Sequence, residues 1–245
     1  MRVIRAHVDL DLAPGARVAL PEAAAAHLLR VLRLREGDAC VLFNGDGHDY
    51  DARIASAGKR DGEAEVLARR PVDNESPLRI VLLQGIARGE KMDWILQKAT
   101  ELGVAAVVPV HSERSEVKLD GARADKRLAH WTSVVVSACE QSGRARLPAV
   151  APPRPLHEAA AALAGDGPRL LLDPFAARTA AALAAPRDGG LVLAVGPEGG
   201  WSPRDRETLA ACGFEGIRLG PRVLRTETAG LAAIAALQAR FGDLS

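Results

Sequence analysis

The chain has 245 residues, 48 % of them hydrophobic, which is enough for one large folded unit or two modest ones with real cores. A net charge of +1 supplies no overall basic field for a nucleic acid, and 3 % aromatic content argues against recognition by a base-stacking sheet, so any basic contact surface has to be local. Cys40, Cys139 and Cys212 are too few and too scattered for a disulfide framework or a zinc site, and the six histidines have no ligand spacing; no metal is expected, and a reducing cytoplasm fits best.

In chain order, Met1-Arg2-Val3-Ile4-Arg5 meets charge at once and no apolar run reaches membrane-spanning length, so a soluble protein without a leader is expected. Pro21 to Leu34 reads as a helix ending near Gly37-Asp38. Its last turns carry Arg30, Arg33 and Arg35, with Arg30 and Arg33 neighbours on the helical surface; they are either solvated charge at a helix end or a phosphate-contacting patch. Asn44-Gly45-Asp46-Gly47 separates two strand-like runs and predicts a hairpin whose second strand places Tyr50, Ala52 and Ile54 on one face. Ala68 to Pro77 is polar, holds two prolines and lacks periodicity, so it reads as a linker. A β-rich domain over 1–70 and a second domain over 78–245 follow from that boundary.

The second domain alternates apolar strands (Arg79–Gln84, Ala106–Val110, Leu170–Leu172, Leu191–Val195, Ile217–Leu219) with amphipathic helices, one through Met92, Ile95, Leu96, Ala99 and Leu102, another through Trp131, Val134, Val135 and Ala138. That alternation predicts an α/β fold with a mostly parallel sheet.

Two loops then stand out. In VGPEGGWSPRDRE (Val195–Glu207) a strand meets a glycine-rich turn and a helix: Ser202 suits the cap, Pro203 the first helical position, Asp205 and Glu207 the positive end of the helix, and Gly213 the stop after Cys212. The turn has neither the closing Lys-Ser/Thr of a phosphate-binding loop nor the spacing of a dinucleotide fingerprint, and Glu198 sits where a phosphate would approach. A cofactor without phosphates and with a cationic end is allowed; so is a mere tight turn. In LGPRVLRTETAGLAAIAAL (Leu219–Leu237) a strand end again meets a loop and helix, with Thr226 or Thr228 as cap and Leu231, Ile234, Leu237 and Phe241 on one face. Loops at neighbouring strand ends of an open α/β sheet close on one ligand.

Taken together, GPEGG (Gly196–Gly200) and LGPRVLRTETA (Leu219–Ala229) resemble the SPOUT class of methyltransferases, and specifically the 16S rRNA (uracil-N3)-methyltransferase family of RsmE type. The likeness extends to KMDWILQKATELGV (Lys91–Val104), ERSEVK (Glu113–Lys118), EQSGR (Glu140–Arg144) and HLLRVLRLREGD (His27–Asp38), essentially the whole chain. The resemblance implies an N-terminal PUA-like barrel, a C-terminal SPOUT domain with a trefoil knot, a homodimer, S-adenosylmethionine as cofactor and N3 of a uridine in small-subunit 16S ribosomal RNA as target. It implies a cofactor site formed by Gly196, Pro197, Glu198, Gly199 and Gly200, by Leu219 and Gly220, by Leu224, Arg225, Thr226, Thr228 and Ala229, and by the turn at Leu172 and Asp173.

Within that frame Glu198 reads as a clasp on loop N–H groups or a partner Arg, Arg225 as electrostatic stabiliser of charge on the uracil carbonyls, and Glu227 as proton acceptor or helix-start carboxylate. Arg30, Arg33, Arg35, Arg114 and Arg144 are the candidate RNA contacts, and Gly199 is expected to face adenosine, so that Gly199→Val would fill that space. The alternatives are a SPOUT relative acting on ribose 2′-oxygen or transfer RNA, and a non-catalytic RNA-binding protein.

Overall fold

A computed structural model of the chain describes residues 4–58, 61–117, 119–163 and 167–244; Met1–Val3 and Lys118, which entered the sequence reading, lie outside them. Two compact units divide the chain, Met1–Glu75 with Cys139–Leu147, and Ser76–Ala138 with Pro148–Ser245.

The first unit is a five-stranded sheet: β1 (Arg5–His7), β2 (Arg17–Ala19), β3 (Ala39–Phe43), β4 (His48–Ala57) and β5 (Gly62–Pro71), in the order β1-β3-β4-β5-β2. The hairpin forms as its turn residues require, with Gly45 and Gly47 both at positive φ and Leu42 opposite Tyr50. Tyr50, Ala52 and Ile54 point into a core shared with Leu28, Leu42 and Val66. The barrel implied by resemblance is here a sheet whose edge strands β1 and β2 do not pair with each other among the described residues.

Three expectations fail in this unit. The helix read over Pro21–Leu34 is four residues of α1 (Glu22–Ala25) running into a π-helical turn (Ala26–Val31), and Arg33 follows with φ +60°. The wide turn keeps Leu28 inside while Val31 is 68 % exposed, and the left-handed backbone at Arg33, rare for a branched or long side chain, ends the helix. Arg30 and Arg33 therefore do not share a regular helical surface. The linker read over Ala68–Pro77 begins too early: β5 continues to Pro71, its polarity explained by cross-strand pairs such as Arg70 donating to Asp51 at 2.8 and 2.7 Å. Arg144, a candidate RNA contact, has a side chain only 5 % exposed and donates to Glu75 at 3.0 Å, so it holds the unit's interior together. Beside it Arg5, equally buried, donates to Asp49 at 2.6 Å and to the Cys139 carbonyl at 2.8 Å.

The second unit is built on parallel strands β6 (Arg79–Gly85), β7 (Ala106–His111), β8 (Ala149–Val150), β10 (Arg169–Leu172), β11 (Gly190–Val195) and β12 (Glu215–Ile217), ordered β12-β10-β11-β6-β7-β8, with β9 (Arg154–Pro155) also beside β7. The helices are α2 (Glu90–Glu101), α3 (Gly121–Ser142, whose last turn belongs to the first unit), α4 (Leu156–Ala162), α5 (Pro203–Ala211) and α6 (Thr226–Phe241). Continuous apolar runs such as Leu191–Val195 are buried on both faces, as a covered parallel sheet requires. Leu83, Val192 and Ala194 pack with Leu156, Ala160 and Leu209 of α4 and α5; α2 packs against α6, and α6 lies over β11, where a Cβ on Gly230 would stand 3.5 Å from Val195. The buried stripe of α6 is Gly230, Ala233, Ile234, Leu237 and Gln238, with Leu231 and Phe241 only half-buried, so the apolar face is rotated from the one read in the sequence. No helix among the described residues is long and apolar enough to cross a membrane.

Candidate active site

β10, β11 and β12 are adjacent and parallel, so their carboxyl ends lie at one edge of the sheet. The turns that leave them, at Leu172–Phe175, Gly196–Trp201 and Arg218–Arg225, wall a single cavity of about 490 Å³, within the size range of small-molecule sites. The two glycine-rich loops thus meet around one space. The strand read as Ile217–Leu219 ends at Ile217, and Leu219 turns away from the ladder to join the wall.

The loop after β11 is fixed by its own chemistry. Ser202 and Asp205 form a capping box, each side chain accepting from the other's N–H at 3.0 Å, with Pro203 opening α5. The Gly200 N–H closes a turn on the Pro197 carbonyl at 2.8 Å. Gly85 at the end of β6 admits the loop: a Cβ there would stand 2.5 Å from Pro197. Gly200 (φ +65°) and Gly220 (φ +149°) line the cavity with bare backbone, and a Cβ on either would meet only open space. Gly199 also lines the cavity, but a Cβ on it would point into protein, 3.1 Å from the Cβ of Arg114, whose guanidinium donates to the Gly199 carbonyl at 3.0 Å. The expectation that Gly199→Val fills ligand space is therefore corrected; that change crowds Arg114.

At α6 neither threonine caps the helix. Arg225 occupies the cap with no side-chain bond, and Thr226, the first helical residue, sends its hydroxyl to the Gly196 carbonyl at 2.6 Å while accepting from the buried Gln84 amide at 3.1 Å. This chain ties β6, the glycine loop and α6. Thr228 is not in the cavity wall; it is exposed on α6, and its N–H donates to the Arg225 carbonyl at 2.9 Å.

Charged side chains line the cavity from all three turns, and Glu227, read as a catalytic residue, lies outside its wall. Glu198 accepts from the Arg88 N–H at 3.1 Å, and Lys91 stands 3.4 Å from it and 3.7 Å from Glu227. Burial acts to raise the Glu198 carboxyl, but the Arg88 N–H, its own N–H and the Lys91 ammonium outweigh it and hold the group below the ordinary glutamate range. Asp173, also in the wall, is ion-paired with Arg206. Arg222 and Arg225 are exposed at the wall, and no ion pair holds either among the described residues. In the first unit Arg30, Arg33 and Arg35 are exposed and form no ion pair among the described residues. No group of three metal-ligating side chains occurs among the described residues.

The profile of a family described as RNA methyltransferase domain matches residues 74–238, and that of an RNA methyltransferase PUA domain matches residues 20–67. The ribosomal RNA small subunit methyltransferase E of Buchnera aphidicola subsp. Schizaphis graminum is 33 % identical over 245 residues, covering 100 % of this chain and 99 % of its own. The chain belongs to the ribosomal RNA small subunit methyltransferase E family. The member from Bacillus subtilis is 31 % identical over 218 residues, 86 % of this chain and 85 % of its own. A crystal structure of the family member from Neisseria gonorrhoeae, bound to S-adenosyl methionine, superposes with a TM-score of 0.92 at 42 % identity over 100 % of both chains.

Of the residues read as this family's cofactor site, the cavity gathers Leu172, Gly196–Gly200, Leu219, Gly220, Leu224, Arg225, Thr226 and Ala229, and leaves out Thr228. Arg114, read as an RNA contact, also lies in its wall. Sequence reasoning missed Lys91. A signal was present: a cation in the first turn of a helix opposes the positive end of the dipole, and Glu90 and Asp93 in that turn are the residues it favours. Gln84 was missed too, hidden inside an apolar strand pattern.

Proposed function

We propose that this chain is an S-adenosylmethionine-dependent methyltransferase acting on N3 of a uridine in the 16S ribosomal RNA of the small subunit, working in the cytoplasm as a homodimer and without a metal. The observation that carries the reading is a single cavity at three parallel strand ends whose wall presents bare glycine backbone at Gly200 and Gly220, a setting in which a flat nucleoside lies against main chain. Gly200 and Gly220 leave open space where a flat nucleoside approaches main chain, and Gly196, Pro197, Leu219, Leu224 and Ala229 supply the surrounding wall. The trefoil knot belongs to this reading, supported by the order in which β11 returns between β6 and β10.

S-adenosylmethionine, when bound, supplies a methyl carbon that the uracil N3 lone pair attacks in line as the carbon–sulfur electrons return to sulfur. The residues of the chain have to hold the two partners together, remove the N3 proton and stabilise charge on the flanking carbonyl oxygens. Glu227, in the first turn of α6, is the proton acceptor in this reading, and the unpaired guanidinium of Arg225 is the electrostatic stabiliser. Arg30, Arg33 and Arg35 contact RNA phosphates from the PUA-like domain over 1–70, and Arg114 does so from the methyltransferase domain over 78–245; Arg144 is withdrawn from that set because its guanidinium is buried on Glu75. Arg33 is held at φ +60°, a backbone state that marks functional turns.

Calorimetry with S-adenosylmethionine tests the cavity, and mass mapping of 16S ribosomal RNA from a deletion strain tests the target. The expected results are saturable binding at one site per chain and loss of a single base methyl group. Absence of binding with or without RNA, or loss of a ribose methyl group instead, overturns the reading.

A further inference from the structure

We propose that Lys91 is a positioning residue for methyl transfer: from the first turn of α2 its ammonium, in the cavity wall, holds the carboxylate of Glu198 in that wall and that of Glu227 behind it, and through Glu227 it fixes the group that accepts the proton. The inference rests on the function proposed above.

Lys91 stands against a local preference. The first turn of a helix disfavours a cation, so its placement there needs a compensating anion, and two carboxylates lie within 3.7 Å of its nitrogen. They come from different elements, the loop after β11 and the start of α6, so one side chain on α2 links the glycine loop to the helix. Without the ammonium between them the two anions would repel.

The two carboxylates do not depend on it equally. Glu198 keeps a second anchor in the Arg88 N–H at 3.1 Å. Glu227 has none: its side chain is 16 % exposed, its Oε2 is buried without a hydrogen-bond donor, and Lys91 is its one ion-pair partner among the described residues. A buried carboxylate oxygen lacking a donor is costly unless a counter-charge stands near it. At 3.7 Å Lys91 supplies that charge without a hydrogen bond, so the buried oxygen's lone pairs stay uncommitted. Removing the ammonium therefore leaves the glycine loop anchored and Glu227 unheld.

The test compares Lys91→Met, which keeps stem length and removes charge, with Lys91→Arg, Glu227→Gln and the double variant Lys91→Met/Glu227→Gln. Binding of S-adenosylmethionine is read by calorimetry, and transfer of its tritiated methyl group is measured to small ribosomal subunits that lack the modification. Lys91→Met is expected to lower kcat on the order of tenfold to a hundredfold while the Kd for S-adenosylmethionine stays within about twofold. Lys91→Arg recovers most of the loss, and the double variant is no slower than Glu227→Gln alone, because both changes remove one device. A Lys91→Met chain with wild-type kcat, losses that multiply in the double variant, or a rise in Kd that parallels the fall in kcat without rescue by Arg overturns the role of Lys91. A wild-type chain that neither binds S-adenosylmethionine nor transfers a methyl group overturns the function itself.

Discussion

The two loops that close the cavity are built in opposite ways. The turn after β11 is held at every step: a capping box at Ser202 and Asp205, a Gly200-to-Pro197 backbone bond, Thr226 on the Gly196 carbonyl, and Glu198 on the Arg88 N–H. The segment from Leu219 to Leu224 makes no backbone-to-backbone hydrogen bond among the described residues, and Arg222 and Val223 within it stand exposed. The first is a preorganised cradle and the second a wall with few restraints of its own, the division expected if holding and chemistry are separated along the chain.

Glu227→Gln probes that division hardest. If the glycine loop holds the cofactor and the start of α6 performs the proton transfer, kcat falls by about 10²-fold or more while affinity for S-adenosylmethionine is preserved. Single-turnover methyl transfer measured beside calorimetry decides it. A fall in affinity with unchanged turnover would assign Glu227 to binding and erase the contrast.

Thr226→Val is next in size, because it cuts a buried hydrogen bond between the glycine loop and the start of α6. The hydroxyl is buried, and its loss strands the Gly196 carbonyl and a Gln84 N–H together. Each orphaned group costs about 1–3 kcal/mol, so roughly 2–6 kcal/mol of stability is at stake, and affinity for S-adenosylmethionine falls with it. Thermal melts and calorimetry on the same preparation report both; a Val variant as stable as wild type would show that the loops are held independently.

How much of this the sequence carried depended on what kind of signal each feature leaves. The capping box, the hairpin at Asn44–Gly47 and the strands β6, β7 and β11 are local and periodic, and their residues declare them. The π-helical turn at Ala26–Val31 was misread because its residues are good helix formers, and only the tertiary demand for Leu28 inside and Arg33 left-handed widens it. Thr226 passed for a cap because a helix-start threonine is one by default, whereas its partner is 30 residues away on another loop. Arg144 reads as an RNA contact because Glu75, which buries it, is 69 residues distant. The site's wall was legible through two motifs, and the long-range bonds that set its geometry were not.

The smallest effect concerns the charge on the rigid loop. The carboxyl of Glu198 is held below the ordinary glutamate range, since the Arg88 N–H, its own N–H and Lys91 outweigh the opposing influence of burial. A group depressed on folding contributes stability above its unfolded value and loses it as pH falls through the folded one. Glu198→Gln is therefore expected to melt below wild type at neutral pH, with the gap closing as the medium is acidified past the glutamate range. The magnitude is no more than about 1 kcal/mol, because solvent screens a partly exposed pair. Paired melting curves from pH 7 downward measure it. A gap that persists or widens in acid would mean that the loop owes its order to backbone geometry alone, and would make the contrast between the two loops purely one of main-chain bonding.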